Sequence, residues 1–155
     1  MHKNLTLCVL GLLALPAPAL AGTCEENFRT VGDARNGLFF SSQVQAANVS
    51  VQSALGQLQQ YALDGGYEVG QPLIVGDEGE LSFVQSSNRP PLVIRATADR
   101  AGQVSLALKL ASGQKTSPAA VQSEFCGLLA KLKPGKEGEA IAAAARARTG
   151  SDKAI

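Results

Sequence analysis

The chain has no tryptophan and a single histidine, His2, and aromatic residues fill only 5% of its 155 positions. From residue 22 onward there is no imidazole, which excludes His-dependent catalytic triads, His-ligated metal sites and histidine general bases. The missing indole rings remove a frequent anchor of ligand and sugar pockets. No G-x-x-x-x-G-K-[ST] or G-x-G-x-x-G run occurs, so no glycine loop is set to cradle a phosphate. Excess charge is absent too: past residue 21, 13 Lys and Arg stand against 13 Asp and Glu. Zero net charge argues against a nucleic-acid binder, whose affinity rests on cations displacing phosphate counterions.

What is present begins with an export signal. Lys3 gives a positive start, an uncharged apolar stretch follows from Leu5 to Leu20, and Ala19-Leu20-Ala21 supplies the small-x-small pattern of a cleavage site. Pro16 and Pro18 break the stretch, which falls short of the roughly 18–20 apolar residues of a membrane span. Leu20-Ala21-Gly22 resembles the start of a lipobox, but Thr23 separates it from Cys24, so the lipid-bearing register is missed. Cleavage between Ala21 and Gly22 removes 21 of 155 residues and leaves 134, enough for one domain with one modest core. The expected location is the periplasm or the extracellular space, and the mature chain has no transmembrane segment. Cys8 leaves with the signal. The remaining pair, Cys24 and Cys126, is expected to form one disulfide in an oxidising compartment, since no C-x-x-C or histidine is there to activate a thiolate.

Charge is uneven along the chain: residues 22–108 hold five basic and nine acidic side chains, and residues 109–155 hold eight and four. Ordinary surface charge accounts for this; the sharper reading is a dipolar surface that orients a partner.

Residues 22–37 are polar with scattered apolar positions and read as an irregular arm tied down by Cys24. Leu38, Phe40, Val44 and Ala46 then alternate, predicting a strand with Phe39, Ser41, Gln43 and Gln45 on its other face. After Ser50, a helix cap, Val51, Ala54, Leu55, Leu58, Tyr61 and Ala62 form one amphipathic stripe that ends at Gly65-Gly66. The opposite face is mostly Gln and Ser, with Gly56 costing about 1 kcal/mol relative to Ala. Two hairpins follow, around residues 76–79 and 99–102, and Pro72 edges or breaks the first of their strands. A second helix starts at Ser117-Pro118 and runs to about Lys133, with Val121, Phe125, Leu128, Leu129 and Leu132 as its buried stripe.

The reading is an α+β two-layer sandwich: a mainly antiparallel sheet of about five strands with two helices on one face, in the order β-α-β-β-β-β-α. Residues 1–21 are the signal peptide, 22–134 the domain, and 135–155 an Ala-rich, partly disordered tail. Its helix formers from Glu139 to Arg148 carry only Ile141 as a large apolar residue, which supports a short, marginal helix.

Three groups invite a chemical reading. Ser112-Gly113-Gln114-Lys115 fits the S-x-x-K of penicillin-binding enzymes and Ser86-Ser87-Asn88 their S-x-N, but the order is reversed, and Lys115-Thr116-Ser117 overlaps where a separate K-T-G belongs. A turn before the second helix explains residues 112–117 better. Asp77, Glu78 and Glu80, joined by Glu68 across the ladder, make a carboxylate cluster; solvated turn carboxylates are the simpler account, because no calcium loop pattern occurs. Arg89-Pro90-Pro91 is either a rigid connector or a displayed loop. No catalytic residue, metal ligand or cofactor is assigned.

The spread pattern Cys24-Glu25-Glu26-Asn27-Phe28, Gly66-Tyr67-Glu68-Val69, Gly79-Glu80-Leu81-Ser82 and Phe125-Cys126 resembles a class of small exported bacterial α+β proteins without assigned activity. The resemblance spans most of the mature chain and carries no functional residue across. Together these readings lead to an exported, non-enzymatic protein-binding domain of the bacterial envelope, an inhibitor, immunity or assembly accessory protein whose partner is another envelope or secreted protein. The alternatives are a carrier of an apolar ligand or lipid, and a small hydrolase using Asp77 and Glu80 or Ser112 and Lys115.

Overall fold

The computed structural model describes residues 22–88 and 90–150. Residues 1–21, read above as a signal peptide, and the end past Gly150 lie outside the described residues. Among the described residues seven strands form one antiparallel sheet: β1 (Arg29–Asp33), β2 (Gly37–Gln45), β3 (Glu68–Val69), β4 (Leu73–Val75), β5 (Glu78–Gln85), β6 (Leu92–Asp99) and β7 (Gln103–Lys109). Their order is β1-β2-β7-β6-β5-β3, with β4 also paired to β5. Four helices accompany them: α1 (Cys24–Asn27), α2 (Val51–Asp64), α3 (Pro118–Ala130) and α4 (Gly135–Thr149). The α+β sandwich stands, with two more strands and two more helices than the periodicity predicts.

Alternation fixes the covered face. Two rows cross it in register, Phe40-Leu108-Ile94-Phe83 and Ser42-Leu106-Ala96-Leu81, and each of these residues is at most 4% exposed. α2 and α3 lie over these rows and bury Leu55, Leu58, Phe125 and Leu129 against them. Both helices are capped as the sequence predicts: Ser50 accepts from the Ser53 amide, and Ser117, before Pro118, accepts from the Ala120 amide.

The arm at 22–37 is ordered rather than irregular. Thr23 and Glu26 form a capping box for α1, satisfying two amides reciprocally. β1 pairs with β2 over five residues, all exposed. A strand open to water at the sheet edge has no inside-outside alternation, so periodicity could not reveal it. A disulfide joins Cys24 of α1 to Cys126 of α3, with Cα atoms 5.5 Å apart.

The largest departure is at the C-terminal end. Residues 135–149, read as part of a tail, form a helix of 15 residues. α4 docks on the side of α2 that faces away from the sheet, the side that carries Gln, Ser and Gly. The part of that side under α4 is therefore buried: Gln57 is 0% exposed, donates from Nε2 to the Lys133 carbonyl (3.0 Å) and accepts from the Lys133 amide (2.7 Å). The two helices touch through small residues. A Cβ built on Gly56 would stand 2.5 Å from the Ala142 Cβ, and one on Gly138 2.4 Å from Nε2 of Gln57. At the far end Arg148 pairs with Asp64 at 2.5 Å. The Asp64 carboxyl is held below its ordinary pKa by the Gln60 amide first and by Arg148 second.

Both sheet edges are blunted. β1 is short and carries Arg29 and Asp33, and Pro72 separates β3 from β4 on the other side. Charge on a short strand and proline at an edge are ordinary means of discouraging strand addition.

Candidate functional site

With the helices gathered on one side, alternate residues of every strand point to the other. Across that open face Ser41, Ala107, Arg95 and Ser82 lie in one registered row, and Gln43, Ser105, Thr97, Glu80 and Leu73 in the next. Small side chains floor its centre. Two shallow hollows result, about 510 Å³ beside Leu73, Val75, Glu80 and Thr97, and about 290 Å³ beside Arg29, Phe39, Ser41 and Gln43. Large apolar side chains stand at the rim in water: Val31 is 61% exposed, Phe39 40%, Val93 49%, Leu73 62% and Val75 72%. An antiparallel sheet with one solvated face ordinarily presents polar residues there. Five exposed aliphatic or aromatic side chains stand on this one face, paired at two opposite corners and single at Val93.

The carboxylates do not converge. Asp77 pairs with Arg100 at 3.3 Å in the turns, and Glu80 with Arg95 at 4.0 Å on the open face. Glu78 stands opposite Asp99. Glu68 lies opposite Val84 and accepts from Ser86 Oγ; four residues along β5 separate Val84 from Glu80, a distance of about 13 Å. The expected contact of Glu68 with the cluster is therefore not made, because the strand register carries it to the other end. Among the described residues no group of three His, Cys, Asp or Glu side chains is placed to hold a metal ion.

Ser112 lies in the turn after β7, and its hydroxyl donates to the Arg35 carbonyl. Nε2 of Gln114 donates to the Pro90 carbonyl at 3.0 Å, which ties the connector at 90–91 to the same turn; Arg89 lies outside the described residues. Among the described residues no helix is long and apolar enough to cross a membrane.

No known protein family matches the chain, and no curated protein matches it in sequence. The site is thus read from its geometry alone.

Between α3 and the sheet a cleft of about 180 Å³ opens beside Tyr67, Leu92, Val121 and Phe125, smaller than the roughly 300–1,000 Å³ of small-molecule sites. Tyr67 packs edge-on against Phe83, with ring centres 5.4 Å apart, and its hydroxyl donates to Glu124 at 3.0 Å. Burial, with the Glu124 carboxylate as second cause, pushes the phenol up to about 12. The neutral phenol is favoured in the folded state, so this contribution to stability is whole below the ordinary value near 10 and is lost as pH rises through about 12. A spectrophotometric titration of the native protein should show one of its two tyrosines resisting ionisation to about pH 12. Glu124→Gln should lower that midpoint, and an unchanged midpoint would remove Glu124 as a cause.

The outward direction of Phe39, Ser41, Gln43 and Gln45 was legible in the sequence, but Val31, Leu73 and Val75 as parts of the same face were not. The available signal was the apolar residue at outward positions of otherwise alternating strands, Val93 being the clearest.

Proposed function

We propose that the chain is an exported, non-enzymatic protein of the bacterial envelope that binds another protein through the open face of its sheet, as an inhibitor, immunity or assembly accessory protein. The observation that carries this reading is the set of exposed side chains Val31, Phe39, Leu73, Val75 and Val93 around a floor of small residues. The blunted edges support docking on the face over strand addition. The export signal and the Cys24–Cys126 disulfide support a site of action outside the cytoplasm.

A photo-cross-linking residue at Ser105, in the middle of the face, is expected to trap a discrete partner in envelope preparations, while one at Glu139, on the exposed side of α4, traps none. Adding Phe39→Glu to the Ser105 probe should abolish the product without changing the melting temperature. Equal trapping from both positions, or a product indifferent to Phe39→Glu, would overturn the reading.

A further inference from the structure

We infer that the open face is self-complementary and that the protein occupying it is a second copy of this chain. The inference rests on the reading of that face as a protein-docking surface and names its occupant.

The strand register places every outward residue on a lattice, with strands about 4.8 Å apart and alternate residues about 6.6 Å apart along each strand. At one corner, on β1 and β2, stand Val31 and Phe39; at the diagonally opposite corner, on β4, stand Leu73 and Val75. Charge follows the same diagonal. Arg29 and Lys109 lie on the Val31 side, and Glu78 and Glu80 on the Leu73 side. The exceptions are Asp33 and Glu68, which accept from Asn36 and Ser86; Arg29 also donates locally, to the Glu26 and Phe28 carbonyls, which leaves its positive charge uncompensated.

Face-to-face stacking of two copies about a two-fold axis in the interface plane exchanges the halves of the face. An axis midway between the apolar corners brings Val31 over the second copy's Val75 and Phe39 over its Leu73. The same operation, with no further adjustment, brings Arg29 over Glu78 and Lys109 over Glu80. Arg95 falls near the axis, where Glu80 of its own chain already pairs with it. The strands of the two sheets then cross near a right angle, the orthogonal mode of sheet packing. Each two-fold contact occurs twice, as an isologous interface requires.

Residues 22–150 carry 12 basic and 12 acidic side chains, so two copies meet without net repulsion. The face covers about 600 Å² per copy, or about 1,200 Å² in total, the lower limit for a specific interface. The expected association is reversible, with a Kd of about 10–100 µM.

Sedimentation velocity from about 1 to about 500 µM tests this, and the wild type should pass from monomer to dimer across that range. Lys109→Glu and Glu80→Lys should each weaken the dimer about tenfold, and the double swap should restore it, because like charges face each other only in the single variants. Should either single variant melt well below the wild type, Arg29→Glu with Glu78→Arg serves as the second pair. A protein monomeric throughout, or a dimer indifferent to both charge pairs, would overturn the inference. A monomer whose Ser105 probe still traps a foreign protein would leave the docking-face reading standing without it. A dimer whose probe traps only its own chain would uphold the inference and remove the foreign partner.

Discussion

Cys24→Ser and Cys126→Ser should each lower the melting midpoint by about 10–20 °C, and by similar amounts, because each breaks the same bond. The bridged residues are 102 positions apart, and closing a loop of that length restricts the unfolded chain by up to about 4.7 kcal/mol on the chain-entropy argument. That is a large share of the roughly 5–15 kcal/mol that holds a domain folded. The local structure adds to the effect. α1 has four residues, far below the roughly 12–15 at which a helix sustains itself, and it is fixed by the sulfur bridge and by Ser42, whose hydroxyl donates to the Cys24 carbonyl. Without the bridge the arm loses its anchor, and β1 remains only as an exposed hairpin partner of β2. Reductant added to the wild type should reproduce the variants. Two free thiols in alkylated, non-reduced native protein would refute this account of the arm.

Gly56→Ala should destabilise the protein by about 1–3 kcal/mol, against the usual gain of about 1 kcal/mol when alanine replaces glycine in a helix. The sign reverses because the added methyl would meet Ala142 Cβ at 2.5 Å and its Cα at 2.9 Å. The glycine that looks costly in α2 taken alone is what allows α4 to approach. Ala142→Gly, added to Gly56→Ala, should recover part of the loss by removing the nearer contact. The measurement is the midpoint of thermal or urea unfolding, and a Gly56→Ala variant more stable than wild type would mean that α4 does not pack on α2 at this crossing.

The same crossing explains what the sequence concealed. Strands with one buried face were legible, since Leu92, Ile94 and Ala96, and Val104, Leu106 and Leu108, fall on alternate positions, with Arg95 and Ser105 among the residues between them. So was the sheet-facing stripe of α2. α4 reads as no more than a short, marginal helix because it buries Ala142 and Ala145 rather than leucines: two helices in contact through a glycine leave no room for larger side chains. The buried polar layer was hidden for a related reason. Gln57 reads as a surface residue until the Lys133 backbone that satisfies it is placed beside it. The candidate face depends on the same fact, because the direction of Phe39 and Ser41 was predictable, but which face would stay uncovered was decided by α4 docking on α2 instead of on the sheet.

The pairing of β2 with β7 bears on how fast the chain can find this fold. Gln45 meets Gln103, and Phe39 meets Lys109, so among the described residues the first hairpin joins the sheet through the strand that comes last in the sequence. Contacts of such sequence separation require loop closure before any pairing compensates it, which places folding on the slow side for a small domain, in milliseconds to seconds. Until residues 103–109 arrive, β2 presents Phe40 and an unpaired edge to its surroundings, and this interval is when the chain is most open to misassociation.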